Sequence, residues 1–378
     1  MITLSNGGAN VRRHLTRSND LFVGTVDGVA HLRREADSWK NVSNSLDGVF
    51  VSAMDCGPDG MLFAATHGSG VARSRDLGKT WEWPNKGMDH LDVWAIRTGV
   101  LKGRPVVLAG TLPAHAYVSY DNGDEWVEMT GLQQAHSKSK WCFPPPPRVG
   151  HVKDISVFED TVHIGIEIGG LLSSMDEGRS FIDAPLHADI RERDVHRINR
   201  HHRAPNRIIL SNGLLGMMKS DDSGATWSSL PLPAQSHYPD AFVVHPDDPD
   251  LIFLSVGVGW PVNWYKSGRA QGKIARSHDG GATWERLLGG LPNGQRALFS
   301  ALTIDAWNDG FAVYAADTDG QVFESIDGGD NWSVIADVSP VSKGEFYRGL
   351  ARGRTNIVTV DDMKFTEHAS ARMAKVGS

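Results

Sequence analysis

Short apolar runs alternate with glycine-containing turns along most of the chain. Clear examples are "MLFAATHGSGVARS", "TVHIGIEIGGLLSS", "RIILSNGLLGMMKS" and "GFAVYAADTDGQVFES". In each stretch, β-branched and aromatic residues cluster or alternate before a glycine, which is the pattern of two β-strands joined by a tight turn. The pattern predicts an all-β chain assembled from repeated strand pairs.

A second motif follows these strand pairs and divides the chain into units. It reads "SRDLGKTW", "SYDNGDEW", "SMDEGRSF", "SDDSGATW", "SHDGGATW" and "SIDGGDNW". The closing aromatic residues, with Trp39 as a degenerate seventh, stand roughly 40 to 60 residues apart, the size of a four-stranded propeller blade. The Asp can accept N–H groups of its own turn and the Gly supplies a positive φ, so Asp279 and its counterparts are expected to stabilise turns.

The repeated motif resembles the Asp box, the bacterial neuraminidase repeat Ser/Thr-x-Asp-x-Gly-x-Thr-Trp. The resemblance covers roughly residues 20 to 340 and implies a seven-bladed β-propeller whose Asp-box turns join the third and fourth strands of the blades. It implies no single activity, because Asp-box propellers include sialidases, other glycosidases, polysaccharide lyases, sortilin-like receptors and a photosystem II assembly factor. The sialidase motif Phe/Tyr-Arg-Ile-Pro is absent and "NVRRHL" is a poor substitute, so a true sialidase is not expected.

One repeat running through the chain predicts a single propeller domain over residues 1–362. Residues 363–378, "MKFTEHASARMAKVGS", carry no strand pattern and are expected to form a C-terminal extension. We expect a strand within "EFYRGLARG" to close the ring against the blade that contains "LFVGTVDG". The alternative is that "NVRRHLTRSN" supplies the innermost strand of the first blade.

Composition and charge exclude several classes of protein. A formal net charge of −7 argues against a nucleic-acid-binding protein, and the single basic run "RINRHHRAPNR" is expected to be a solvated loop. The chain contains no long apolar run, so no membrane partner is expected. The N-terminus lacks the apolar segment of a secretion signal, so a cytoplasmic location is expected. Cys56 and Cys142 are too few for a disulfide framework.

A functional site is expected on the face opposite the Asp-box turns. In a propeller the innermost strands begin on that face, and the second strands end there. The long irregular segments "GLQQAHSKSKWCFPPPPRVGH", "APLHADIRERDVH" and "GVGWPVNWYKSGRAQG" fall in linkers and turns on the same face. Long insertions gathered on one face usually carry function.

Polar residues occupy the predicted mouth of the central channel on this face. The predicted innermost strands begin at "DVWAI", "HVKDI", "DVHRI", "YPDAF", "LFSAL" and "FYRGL". With the ends of the second strands, they contribute Asp92, His151, Lys153, His196, Tyr238, Arg296, Tyr347, His67, His115 and Glu167. Histidines converging with a carboxylate can hold a divalent transition metal or perform acid–base catalysis. We predict metal ligands at His67, His115, His151 and His196, and catalytic or substrate-positioning roles for Lys153, Glu167 and Tyr238.

Each candidate also has a structural interpretation, because a histidine at the start of an innermost strand can simply bind a neighbouring blade. His163 and His245 are expected to be structural. The leading hypothesis is a metal-assisted or acid–base enzyme of hydrolase or lyase type, with Lys153 or Glu167 as general base and a small polar or sugar-like substrate. The alternative is a non-catalytic binding or assembly scaffold. Histidines that meet in one pocket would favour the enzyme.

Overall fold

Each apolar run with its glycine turn forms a hairpin between the second and third strands of one blade. The computed structural model describes residues 1–8, 11–36, 38–143 and 148–342. These residues form seven small sheets arranged in a ring, so the predicted seven-bladed β-propeller is confirmed. No helix in this described part is long and apolar enough to cross a membrane.

Strands are numbered in chain order, and within each blade the chain runs from the central channel outward. Two short strands come first, β1 (Ile2–Leu4) and β2 (Val11–Arg13). Blades one to three contain β3 (Asp20–Thr25), β4 (Gly28–Glu35) and β5 (Ser38–Ser45); β6 (Val51–Cys56), β7 (Leu62–Thr66) and β8 (Gly70–Ser74); and β9 (Val93–Leu101), β10 (Arg104–Thr111), β11 (Ala116–Ser119) and β12 (Val127–Glu128). Blades four and five contain β13 (His151–Phe158), β14 (Thr161–Glu167), β15 (Gly170–Ser174) and β16 (Ile182–Asp183); and β17 (Val195–His201), β18 (Ala204–Asn212), β19 (Gly216–Ser220) and β20 (Ser228–Leu230). Blades six and seven contain β21 (Tyr238–His245), β22 (Asp248–Gly257), β23 (Lys273–Ser277) and β24 (Glu285–Arg286); and β25 (Phe299–Trp307), β26 (Gly310–Asp317), β27 (Gln321–Ser325) and β28 (Ser333–Asp337).

Short helices lie between some of these strands. They are one α-helix, α1 (Pro261–Ser267), and three 3₁₀ helices over Thr130–Gln134, Lys138–Lys140 and Ile190–Glu192. They lie in, or begin one residue before, the long segments that were predicted on the face where the innermost strands begin. That face is called the upper face below.

The hydrophobic core is divided between neighbouring blades. Leu108 of blade three packs with Val152 and Ile164 of blade four, and similar clusters join the other blades. Because each central strand is covered on both sides by another blade, its side chains are apolar on both faces, which explains the continuous apolar runs in the sequence. Glycine permits the closest contacts: a Cβ on Gly110 would lie 2.2 Å from Cγ1 of Val152.

The Ser-x-Asp-x-Gly motifs form turns that follow the third strands. In the turn after β23, Asp279 Oδ1 accepts the backbone N–H of Thr283 at 2.8 Å and Oδ2 accepts its hydroxyl at 2.6 Å. Ser277 Oγ accepts the N–H of Gly281 at 2.8 Å. The bonds from Thr283 and Ser277 hold the pKa of Asp279 at about 2. The same Asp-to-backbone bond, four residues on, recurs at Asp76, Asp121, Asp176, Asp222 and Asp327.

The N-terminal segment lies against the innermost strands of several blades. Strand β1 pairs in parallel with β3 and forms the innermost strand of blade one, and β2 pairs in parallel with β25 of blade seven. The interpretation that "NVRRHLTRSN" supplies the innermost strand of blade one is therefore wrong. The closing strand expected within "EFYRGLARG" and the predicted extension over 363–378 lie outside the described residues, so the domain limits stay a prediction.

Two glycines that follow β1 lie against the backbone of neighbouring blades. A Cβ on Gly8 would lie 1.7 Å from the carbonyl oxygen of Met54, and one on Gly7 would lie 2.3 Å from that of Trp94. Only glycine fits such contacts with the backbone of blades two and three. The N–H of Gly7 donates to Ser52, and the Asn6 amide donates to the carbonyl of Ser300 at 2.7 Å. The connection therefore touches blades two, three and seven.

Candidate functional site

A β-bulge stands near the upper end of the innermost strand in blades two to seven. In blade four, Val152 pairs with Ile166 and Asp154 with Gly165, so Lys153 is the extra residue of the bulge. Bulges re-aim side chains and are frequent beside active sites. The residues bulged in this way are Ser52, Trp94, Lys153, His196, Asp240 with Ala241, and Ser300.

Side chains from blades four and five meet at the carboxylate of Glu167, which ends β14. Its Oε2 lies 3.4 Å from Nε2 of His151 and 3.5 Å from Nζ of Lys153, and its Oε1 lies 3.9 Å from Nε2 of His196. All four side chains are buried. Lys153 Nζ also reaches Oδ1 of Asn6 at 3.5 Å, which links the cluster to the N-terminal segment.

The tautomer of His196 follows from its hydrogen bonds. Nδ1 lies 3.1 Å from the carbonyl oxygen of Pro239, which can only accept, so Nδ1 carries the proton. In the neutral ring Nε2 then accepts, and the hydroxyl of Tyr238 lies 3.1 Å from it. Asp194 Oδ1 is 3.4 Å from the same nitrogen. His196 therefore presents an acceptor nitrogen to the carboxylates of Glu167 and Asp194, the orientation that metal-binding histidines adopt.

His151 lies in an aromatic environment on the other side of Glu167. Its ring centroid is 3.9 Å from that of Trp94 and 4.7 Å from that of Phe143. Burial lowers the pKa of His151, against the opposing effect of the Glu167 carboxylate. The imidazole is therefore neutral near pH 7.

The other two predicted histidine ligands lie in separate pairs. His67 Nδ1 is 2.6 Å from Oδ1 of Asp92, and its ring contacts Trp94, as does the ring of His151. His115 Nδ1 is 2.6 Å from Oε1 of Glu128, and the ring stacks on His90 at 3.9 Å. Each ring is thus held by a carboxylate of its own.

Among the described residues, one group of donor atoms could hold a metal ion. Glu167, Asp194 and His196 each offer a donor, and these atoms lie within 4.8 Å of one another. Of the predicted ligands, the structure therefore brings together His151 and His196 at Glu167, and only His196 belongs to this group. Arg296 forms an ion pair with Asp319. Tyr347 lies outside the described residues.

Asp194 was not among the sequence candidates, although the sequence contains a signal for it. In "DVWAI", "HVKDI" and "DVHRI" the first position holds Asp92, His151 and Asp194, so aligning the three strand starts would have identified Asp194. Asn6 carries no comparable signal, because its contact with Lys153 joins residues at opposite ends of the propeller sequence.

Comparisons with known proteins identify the fold and no family. No family model matches the chain, and no curated protein matches it. Among solved structures it is similar to an ancestral GH74 enzyme, with a TM-score of 0.60 and 15% identity over 76% of this chain and 38% of that one. It is also similar to YCF48 from Cyanidioschyzon merolae, with a TM-score of 0.53 and 12% identity over 77% of this chain and 88% of that one. At such identities the likeness shows the propeller fold alone, and the chain spans well under half the length of the GH74 enzyme.

Proposed function

We propose that the protein is an enzyme of hydrolase or lyase type that performs acid–base chemistry on a small polar or sugar-like substrate at the Glu167 cluster. The observation that carries the proposal is the meeting of His151, Lys153 and His196 within 4 Å of one carboxylate. The repeated Ser-x-Asp turn supports a second part of this proposal, namely that the protein is related to Asp-box propellers.

The cluster contains the groups that such chemistry requires. Hydrolysis and elimination both need one group that removes a proton and another that supplies one. Glu167 acts as general base in this proposal, and Lys153 supplies positive charge beside it. The hydroxyl of Tyr238, which donates to Nε2 of His196 in the resting state, delivers its proton to the leaving group, and the proton taken up by Glu167 returns to the phenolate through solvent. The neutral imidazole of His151 orients the substrate.

A divalent cation is a second form of the same proposal. The carboxylates of Glu167 and Asp194 and the Nε2 of His196 are donors of the kinds that divalent transition metals accept. A cation held there would supply polarisation of a substrate oxygen or activation of water. Lys153, 3.5 Å from Glu167, competes for the same carboxylate, so the residues fit a weakly bound ion. Elemental analysis of the dialysed protein and of Asp194→Asn tests this form: equal metal content in both contradicts it.

The main test is turnover of a panel of nitrophenyl glycosides and polyuronates. Release of nitrophenol reports hydrolysis, and ultraviolet absorbance of a new C=C bond reports elimination. Glu167→Gln should lower kcat by about 10²-fold or more, the usual contribution of a general base. The matched control is Glu128→Gln, because Glu128 also pairs with a histidine, His115, away from the cluster.

The alternative function, a binding scaffold without catalysis, also has an observation in its favour. The cluster side chains His151, Lys153 and His196 are almost fully buried, as expected if they served only to join blades four and five. This alternative predicts that Glu167→Gln lowers the melting temperature and that neither protein turns over any substrate. Turnover that survives Glu167→Gln unchanged would contradict the catalytic assignment of this residue.

A further inference from the structure

A cavity lies below the Glu167 cluster, beside the residues that follow the bulges of the same strands. Asp154 follows the bulged Lys153, and Arg197 follows the bulged His196. Both residues line a cavity of about 240 Å³, together with Arg12, Arg97 and Arg200. A water molecule's share of liquid volume is about 30 Å³, so the space holds a small ion with some of its hydration water.

Arg197 is the feature of this cavity that points to a ligand. The residue is 3% exposed, and its Nε, Nη1 and Nη2 have no hydrogen-bond partner among the described residues. Its nearest ion-pair contact is Asp154 Oδ1, 3.8 Å from Nη1. Five N–H groups of a permanently charged guanidinium are therefore left without a strong acceptor. Burying such a group unsatisfied is strongly unfavourable.

Asp154 compensates for this charge only in part, because both of its oxygens already accept other hydrogen bonds. Oδ1 accepts the N–H of Ile155 at 2.9 Å and Nη2 of Arg97 at 3.0 Å. Oδ2 accepts the N–H of Ile198 at 2.8 Å. Asp154 thus faces two guanidinium groups, Arg97 and Arg197. The buried carboxylate of Asp240 adds a weaker electrostatic attraction on Arg197, but four arginines and one carboxylate line the cavity, so positive charge is in excess.

The other two arginines, Arg12 and Arg200, do not remove this excess of positive charge. Arg12 is paired with Asp55 and donates to the carbonyl of Cys56. Arg200 donates to Nε2 of His163 at 3.0 Å and to the carbonyl of Pro205, neither of which carries negative charge. Arg200 and Arg97 are half-buried, so this side of the cavity is reached from solvent. The cavity is a cationic space in a protein whose net charge is −7.

We propose that this cavity binds a small oxyanion of phosphate size, with Arg197 as the principal donor and Arg97 and Arg200 as supporting donors. Guanidinium groups bind tetrahedral and planar oxyanions through paired N–H···O bonds, which supply both charge and geometry. The oxyanion would accept hydrogen bonds from the N–H groups of Arg197 that have no other acceptor. This inference does not depend on the proposed enzymatic function.

The test measures melting temperature and calorimetric binding in chloride buffer, with inorganic phosphate as the probe. The wild-type melting temperature should rise with phosphate concentration, because a ligand of the folded state stabilises it by mass action. Arg197→Met should lose this response. Without phosphate, Arg197→Met should melt at or above the wild-type temperature, because methionine replaces a buried charge that has no acceptor.

The matched control is Arg207→Gln, since Arg207 pairs with Asp221 and Asp250 away from the cavity and should leave the phosphate response intact. Methyl phosphate is the second probe. A larger response to methyl phosphate than to phosphate, again lost in Arg197→Met, would support a phosphorylated metabolite as the source of the oxyanion. A wild-type protein that responds to neither probe would overturn the proposal, and so would a phosphate response that persists in Arg197→Met.

Discussion

The stability of the propeller should fall in mild acid because His163 is buried as a neutral imidazole. His163 lies on β14, where Nδ1 is 2.7 Å from Oγ of Ser173 and Nε2 is 3.0 Å from Nη1 of Arg200. A guanidinium can only donate, so Nε2 accepts and Nδ1 carries the proton. Protonation would place an imidazolium against a guanidinium. Burial, and then the charge of Arg200, lower the pKa of His163 to about 3.

The size of the effect follows from the difference between folded and unfolded pKa values. The ordinary pKa of histidine in an unfolded chain is about 6.5. Below that pH the unfolded state binds a proton that the folded state does not, so the free energy of unfolding decreases. The contribution is fully present above pH 6.5 and is lost progressively as the pH falls toward the folded pKa of His163, about 3. Between pH 7 and pH 5 the loss is about 2 kcal/mol.

The substitution His163→Gln isolates the contribution of His163 to the pH dependence of the free energy of unfolding. A glutamine amide can donate to Ser173 and accept from Arg200 but does not titrate. Urea unfolding at pH 7 and pH 5 should show that the wild type loses about 2 kcal/mol more than the variant over this interval. Burial also lowers the pKa of His90, His201 and His245, but these groups are present in both proteins and cancel in the comparison. Equal losses in the two proteins, or an NMR titration of His163 centred near pH 6.5, would refute the reasoning.

Three further substitutions test the architecture. Asp279→Ala should lower the melting temperature and leave phosphate binding and turnover unchanged, because Asp279 bonds within its own turn; a loss of binding without a loss of stability would contradict this role. Gly110→Ala should cost about 1 to 3 kcal/mol in urea unfolding through its clash with Val152, and adding Val152→Ala should recover part of that loss if the clash is the cause. Asp154→Asn should cost about 3 to 5 kcal/mol because it leaves the buried Arg197 and the half-buried Arg97 with less compensation. Asp221→Asn, at an exposed ion pair, should cost under about 1 kcal/mol, and similar costs would show that burial does not decide the effect.

The number and order of the blades could be predicted because their signals are local. The turn around Asp279 is held by bonds between residues no more than four positions apart, so every copy of the motif carries its own structural information. The position of the N-terminal segment could not be predicted in this way. The parallel pairing of Ile2–Leu4 with Leu21–Val23, and of β2 with β25, depends on contacts between distant parts of the chain.

The candidate site was only partly predictable for a related reason. His151, His196 and Glu167 meet because the strand register places them at the same edge of neighbouring blades. His115 occupies a comparable place in the sequence pattern, but β11 and β12 pair so that Tyr117 lies opposite Glu128, which brings that carboxylate to His115. The sequence alone does not show which carboxylate lies beside a histidine across a hairpin.

The bulged positions of blades four and five differ in character from those of blades two and seven. In blades two and seven the bulge and the residue after it are Ser52–Ala53 and Ser300–Ala301. Each serine donates to a backbone carbonyl, at 2.6 and 2.5 Å. Two small neutral residues at these positions are therefore sufficient to form the bulge. Blades four and five have Lys153–Asp154 and His196–Arg197 at the same positions, and burying such ionisable groups costs free energy that the fold does not require. The first residue of each pair contributes to the Glu167 cluster and the second to the cationic cavity, so both candidate sites arise from the same two adjacent bulges.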